Sequence, residues 1–290
     1  PLGRSFLFSL ALSVQCVAKE PQVMSSIPTA SLLGTEVRLI AARSVEQTFR
    51  ISIALPSSYA TDLERTYPTI YLIDANFYFG MITELTRVMT LCEELPESIV
   101  IGIGYPLDAP LAEATKETFR LRDRDLTPVT DPTEENPTGG AAAFLTFIQT
   151  ELISLIEQEY RADPTVRVLA GHSLGGLFTL YVLLHQPELF SRYVVGSPSL
   201  WYGERIIFEY EAAFAQTHTA LPVRLYLGIG GREEEIQSSM VSNFFQFVAR
   251  LESRDYEGLV LTRHLVENCG HCASTAPTFQ AGFQAVLSRL

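Results

Sequence analysis

After the first ~25 residues, short β-branched runs alternate with longer stretches whose apolar positions recur every three or four residues. This rhythm predicts an α/β protein, a mostly parallel, doubly wound sheet with crossover helices on both faces. Residues 36–40 and 49–55 read as an opening pair of strands joined by a polar turn, the second alternating Phe49, Ile51, Ile53 and Leu55. Residues 69–73 (TIYLI) and 99–103 (IVIGI) are unbroken apolar runs, as strands covered on both faces require. Residues 166–170, 193–196, 223–229 and 259–266 complete the sheet. A helix is expected over 81–91, and Phe144, Ile148, Leu152, Leu155 and Ile156 share one face of another that leads to Tyr160. Phe279, Phe283, Val286 and Leu290 turn inward from a last helix that starts near Thr278. Residues 106–140 break the rhythm, being rich in Pro, Asp, Thr and Glu without a sustained period, and a long insertion of this kind is expected to border a functional site.

Composition narrows the class of partner. With 21 basic and 33 acidic side chains the net charge is −12, so phosphate backbones and anionic lipid are repelled and nucleic acid is set aside. Cys16, Cys92, Cys269 and Cys272 are too few and too dispersed to frame a disulfide scaffold. Cys269 and Cys272 stand at C-x-x-C spacing with Gly270 and His271 between them, but no second pair completes a zinc set, and no metal is expected. Residues 5–14 (SFLFSLALSV) follow Arg4 and have signal-peptide length, while Pro1-Leu2-Gly3 also reads as a remnant of tag removal. The chain is therefore divided into a signal-like or tag-derived segment, 1–25, and a single domain, 26–290. The compartment stays open between cytoplasmic and periplasmic or secreted, as does the oligomeric state, and no transmembrane span is expected.

The chemistry concentrates at Gly171-His172-Ser173-Leu174-Gly175, a G-x-S-x-G sequence between an expected strand and an expected helix. The glycines suit a strained turn that presents the serine, and the helix amino terminus aims free N–H groups at a developing oxyanion. A serine hydroxyl needs a base, and in this fold the partners follow in the order Ser, acid, His. Among five histidines, His172 adjoins the serine, His185 ends the following helix and His218 precedes the acid candidates. His264 falls inside the last strand, whereas His271 follows that strand in a glycine-bearing loop, so His271 is taken as base with His264 the runner-up. The acid is expected just past residues 223–229, in Arg232-Glu233-Glu234-Glu235; Glu233, nearest the strand, is preferred, with Glu234 and Glu235 as alternatives or a Ser/His dyad sufficing. Asp74 and Asn76 open the loop expected to supply the second oxyanion donor, or hold its turn.

Together with the elbow, Tyr71-Leu72-Ile73-Asp74-Ala75-Asn76, Ile101-Gly102-Ile103-Gly104-Tyr105-Pro106, Arg122-Asp123-Arg124-Asp125-Leu126-Thr127-Pro128 and Ser197-Pro198-Ser199-Leu200-Trp201 resemble the putative-esterase branch of the α/β-hydrolases. The resemblance covers residues 35–290 and is greatest to bacterial siderophore-esterase-like hydrolases. It implies an α/β-hydrolase fold and cleavage of a small-molecule carboxylic ester without a cofactor. It implies Ser173, His271 and Glu233 as catalytic residues, with the Ala75 and Leu174 amides as oxyanion hole. Family members commonly carry glycine at the position of Ala75. Asn76, Arg122, Arg124 and Trp201 become substrate-binding candidates. Arg122 or Arg124 would engage an anionic or catechol-bearing substrate, or pin the insertion through Arg/Asp pairs; Trp201 would stack on an acyl or aryl group, or be core. An acyltransferase or thioesterase with the same triad, and a non-catalytic binding module on the same fold, are the rival readings.

Overall fold

In the computed structural model, residues 31–235 and 239–288 are described; the expectation for residues 1–25 lies outside them. Eight strands form one sheet within the compact unit Leu33–Leu290. They are β1 Thr35–Ala42, β2 Gln47–Ala54, β3 Tyr67–Leu72, β4 Ile99–Gly104, β5 Ala162–His172, β6 Arg192–Gly196, β7 Arg224–Gly230 and β8 Val260–Val266. Their order is β1-β2-β4-β3-β5-β6-β7-β8, and β2 pairs antiparallel with both β1 and β4 while every other pairing is parallel. This is the α/β-hydrolase fold that the motifs implied.

The helices are α1 Ala75–Leu91, α2 Leu111–Leu126, α3 Ala141–Phe147, α4 Ile153–Glu159, α5 Leu174–His185, α6 Tyr202–Thr217, α7 Met240–Arg254 and α8 Thr275–Leu287, with a π-helical stretch, Ile148–Leu152, joining α3 to α4. Alternation along the strands sorts the core into two layers. Ile70, Leu72, Val100, Val168 and Val194 face α1 and α8, whose Ile82, Phe279 and Phe283 are fully buried against them. Tyr71, Ile101, Leu169, Tyr193 and Leu227 face the opposite layer, which holds the buried apolar side chains of α2 to α7. Truncating Phe279 or Phe283 to alanine would cost about 3–5 kcal/mol in such a packed layer. From Gly175 to Leu184 every residue of α5 is buried, which is why its sequence is apolar all round.

Two elements differ from the sequence expectation. The first helix starts at Ala75, not Met81, on an N-cap Asp74 in the left-handed region (φ 59°); Phe77 and Tyr78 donate their N–H groups to the Asp74 carbonyl. The insertion 106–140, expected to lack periodicity, contains α2. The inward positions of α2 are Thr118, Leu121, Arg122, Asp125 and Leu126, at helical spacing but mostly polar, so a hydrophobic pattern could not reveal them. Among the described residues no helix is long and apolar enough to cross a membrane.

Candidate active site

β5 leads into a sharp turn and then α5, and Ser173 occupies the turn with φ 63° and ψ −123°, a conformation that costs a non-glycine residue about 1–3 kcal/mol. Neighbouring backbone holds it there: the Ser173 N–H donates to the Gly196 carbonyl at 2.9 Å, and its own carbonyl accepts from Leu177 and Ser199. The flanking glycines are required by space. A Cβ at Gly171 would lie 2.2 Å from the Gly175 carbonyl oxygen, and one at Gly176 would lie 2.7 Å from the Gly196 carbonyl oxygen. At Gly175 the obstacles are side chains, Asp74 Oδ2 at 3.0 Å and Ile73 Cγ2 at 3.2 Å.

Ser173 faces a cavity of about 250 Å³ whose wall also includes Leu174, Arg122, Trp201, Glu233 and His271. His271 stands in the loop after β8, and its Nδ1 lies 2.7 Å from Glu233 Oε2. Among the described residues the Ser173 hydroxyl has no hydrogen-bond partner; it shares the cavity with the imidazole without a bond between them. Glu233 begins a single 3-10 turn after β7 and is fully buried. Burial pushes its carboxyl pKa up, but hydrogen bonds from His271, from the Ser197 hydroxyl and from the Gly230 N–H outweigh this and hold it below the usual carboxylate value. Its two neighbours are exposed and do other work. Glu234 accepts from the N–H groups of Val241 and Ser242 at the start of α7, and Glu235 pairs with Arg232 at 2.9 Å. His264 is bonded through Nδ1 to the Tyr226 hydroxyl at 2.7 Å within the sheet, so the runner-up base has a structural partner.

The remaining candidates divide. Leu174 lines the cavity and, as first residue of α5, carries an N–H with no partner within its helix. Ala75 is in the corresponding position at the start of α1, but is not part of the cavity wall. Trp201 lines the cavity and packs in part on the core beneath it. Arg122 reaches the wall with its fork already engaged: Nε and Nη2 donate to Asp74 Oδ1 and Oδ2 at 2.9 and 2.8 Å, both side chains being buried. Burial lowers the Arg122 pKa, and the Asp74 carboxylate more than reverses that. Arg124 does not line the cavity; its fork grips Asp125, which also accepts from the Tyr105 hydroxyl. Asn76 likewise lies off the cavity wall, its amide clamped to the backbone N–H and carbonyl of Tyr105. Asp123 and Thr127 also line the cavity, as the resemblance implied for the stretch 122–128 as a whole; sequence reading missed Glu134 and Thr138 from the insertion, and Met240 from α7. Only the position of the insertion hinted at Glu134 and Thr138, and nothing in the sequence hinted at Met240. Cys92, Cys269 and Cys272 are free thiols, and among the described residues no cluster of His, Cys, Asp and Glu suits a metal.

Comparison with known proteins agrees with this fold. A family model described as "Putative esterase" matches residues 42–285. The ferri-bacillibactin esterase BesA of Bacillus subtilis is 33% identical over 233 residues, covering 78% of this chain and 80% of that one. The siderophore enterobactin esterase of Emericella nidulans is 30% identical over 242 residues, covering 76% and 75%. Among solved structures, the BES protein from Bacillus cereus superposes with a TM-score of 0.79 at 26% identity, covering 91% of this chain and 98% of that one. With an elbow serine on such a cavity and with these relatives, the chain belongs to the putative-esterase family, in its siderophore-esterase-like branch, and is a serine ester hydrolase.

Proposed function

We propose that the protein hydrolyses a siderophore-type carboxylic ester through an acyl-enzyme on Ser173. The single observation that carries this reading is the strained elbow serine opening on the same cavity as an imidazole whose far nitrogen is bonded to a buried carboxylate. In this mechanism Ser173 Oγ turns about its Cα–Cβ bond toward His271 Nε2 and passes its proton there as it attacks the ester carbonyl. Glu233, acting through Nδ1, fixes the tautomer and stabilises the imidazolium. The Leu174 and Ala75 amides at the starts of α5 and α1 receive the oxyanion. His271 then protonates the leaving alcohol, and water activated by the same imidazole releases the acid and restores Ser173. The named activities of BesA and the fungal relative support a siderophore ester as substrate.

Ser173→Ala should lower the hydrolysis of a nitrophenyl ester by about 10⁴ to 10⁶ in kcat, and should abolish labelling by a fluorophosphonate. Near-normal turnover in that variant would refute the assignment.

A further inference from the structure

We infer that Ser197, in the turn after β6, is a positioning residue that acts on the reaction through Glu233. The inference rests on the Ser173, His271 and Glu233 reading above. Three donors converge on the Glu233 oxygen turned away from the imidazole: Oε1 lies 2.6 Å from Ser197 Oγ, 2.7 Å from the Gly230 N–H and 3.2 Å from Ser274 Oγ. The other oxygen, Oε2, is left to His271 at 2.7 Å.

Each hydroxyl has one hydrogen to give, which ranks the two serines. Ser274 Oγ is closer to the His271 carbonyl, at 2.8 Å, than to Glu233, so its hydrogen chiefly steadies the loop that carries the base. Ser197 Oγ is 3.1 Å from Ser274 Oγ and 2.6 Å from Glu233, so its hydrogen goes to the carboxylate. A pivot about the Glu233 side chain would swing Oε2 off the imidazole, and the Ser197 bond together with the Gly230 amide opposes that pivot. Both serines are fully buried, so no solvent can take over the bond.

The backbone at Ser197 points the same way. Ser197 has φ 38°, in the left-handed region where glycine is the relaxed choice, and its N–H is tied to the Gly228 carbonyl at 2.7 Å. A side chain kept at such a position, inside a fully packed turn, has its use in what the hydroxyl holds.

The test is a double-mutant cycle on a nitrophenyl ester, with Ser197→Gly, Glu233→Gln and both together. Glycine suits the backbone angle, so the first variant keeps the turn while losing the hydroxyl; melting curves verify that each protein is folded. Ser197→Gly is expected to lower kcat by about tenfold with KM nearly unchanged, and to have no further effect once Glu233 is glutamine. Ser274→Ala, a second entry to the same cluster, should lower kcat less. The same tenfold loss from Ser197→Gly in the Glu233→Gln protein, or no loss in the wild-type background, would overturn the inference. Full activity of Glu233→Gln alone would instead remove the carboxylate from the mechanism, a failure of the underlying reading that the cycle reports separately.

Discussion

Acidification from about pH 7.5 to about pH 4.5 will cost this protein stability through His172. The imidazole is 1% exposed, its ring 4.7 Å from that of His271; Nε2 meets Thr275 Oγ1 at 3.4 Å and Nδ1 has no hydrogen-bond partner. Burial, and then the neighbouring His271, pushes its pKa down from 6.5 to about 3. A depressed value means that the group is neutral in the fold. Its contribution is therefore complete above the unfolded value of about 6.5 and is lost as the pH falls from there toward the folded value. At about pH 4.5, two units below the unfolded value, the loss is about 2.7 kcal/mol, and any folded value below about 4 gives nearly the same figure. For a domain of this size that is a fall of about 5–10 °C in Tm. Calorimetric melts of wild type and His172→Asn across this range measure it, the difference between the two slopes isolating His172. The comparison is needed because burial also lowers the pKa of His185, which contributes in the same direction in both proteins. Parallel Tm-against-pH lines for the two proteins would refute the reasoning.

Two further outcomes follow from the cavity wall. Arg122→Met strands the buried Asp74 carboxylate and should cost about 3–5 kcal/mol, whereas Arg122→Met with Asp74→Asn should recover most of it, as thermal melts of the two variants will decide. Equal losses in single and double variants would show that packing, not charge, is at stake. Because Arg122 is neutralised by Asp74 while Asp123 and Glu134 form no ion pair among the described residues, a neutral nitrophenyl ester should be cleaved faster than the half-acid ester of the same length. Each uncompensated carboxylate is worth about 1 kcal/mol at such range, so kcat/KM should differ by about tenfold or more, and Asp123→Asn with Glu134→Gln should narrow the gap. A preference for the anionic ester would contradict this.

The sheet was legible from the sequence because its strands are covered on both faces and so read as unbroken apolar runs, Ile99 to Ile103 being the plainest. The elbow was legible because its glycines are demanded by contacts as close as 2.2 Å, which leave a local trace in the chain. Glu233 stood out from its neighbours only through its nearness to the strand, and its burial beside His271 supplies the physical distinction from the exposed Glu234 and Glu235. What pattern could not reveal was α2, whose inward face is built from Thr118, Arg122 and Asp125 and is stabilised by partners far along the chain. Asn76 and Arg124 were left between substrate and a structural tie for the same reason. A polar side chain in a sequence gives no sign of whether its partner is a ligand or, as here, the Tyr105 backbone and the Asp125 carboxylate.

The insertion 106–140 packs Leu121 and Leu126 of α2 into the core and is tied further by Arg122 on Asp74, Asp125 on Tyr105 and the Val129 carbonyl on the Tyr202 hydroxyl. It nevertheless furnishes much of the chamber around Ser173, whereas the elbow, the imidazole and its carboxylate come from loops that follow β5, β8 and β7. On the proposed mechanism, reactivity and choice of substrate are thus written in separate stretches of the chain. Lineages can retool the guest chamber by rewriting the stretch after α2, and a protein engineer can graft that stretch between relatives provided that Arg122 keeps its hold on Asp74.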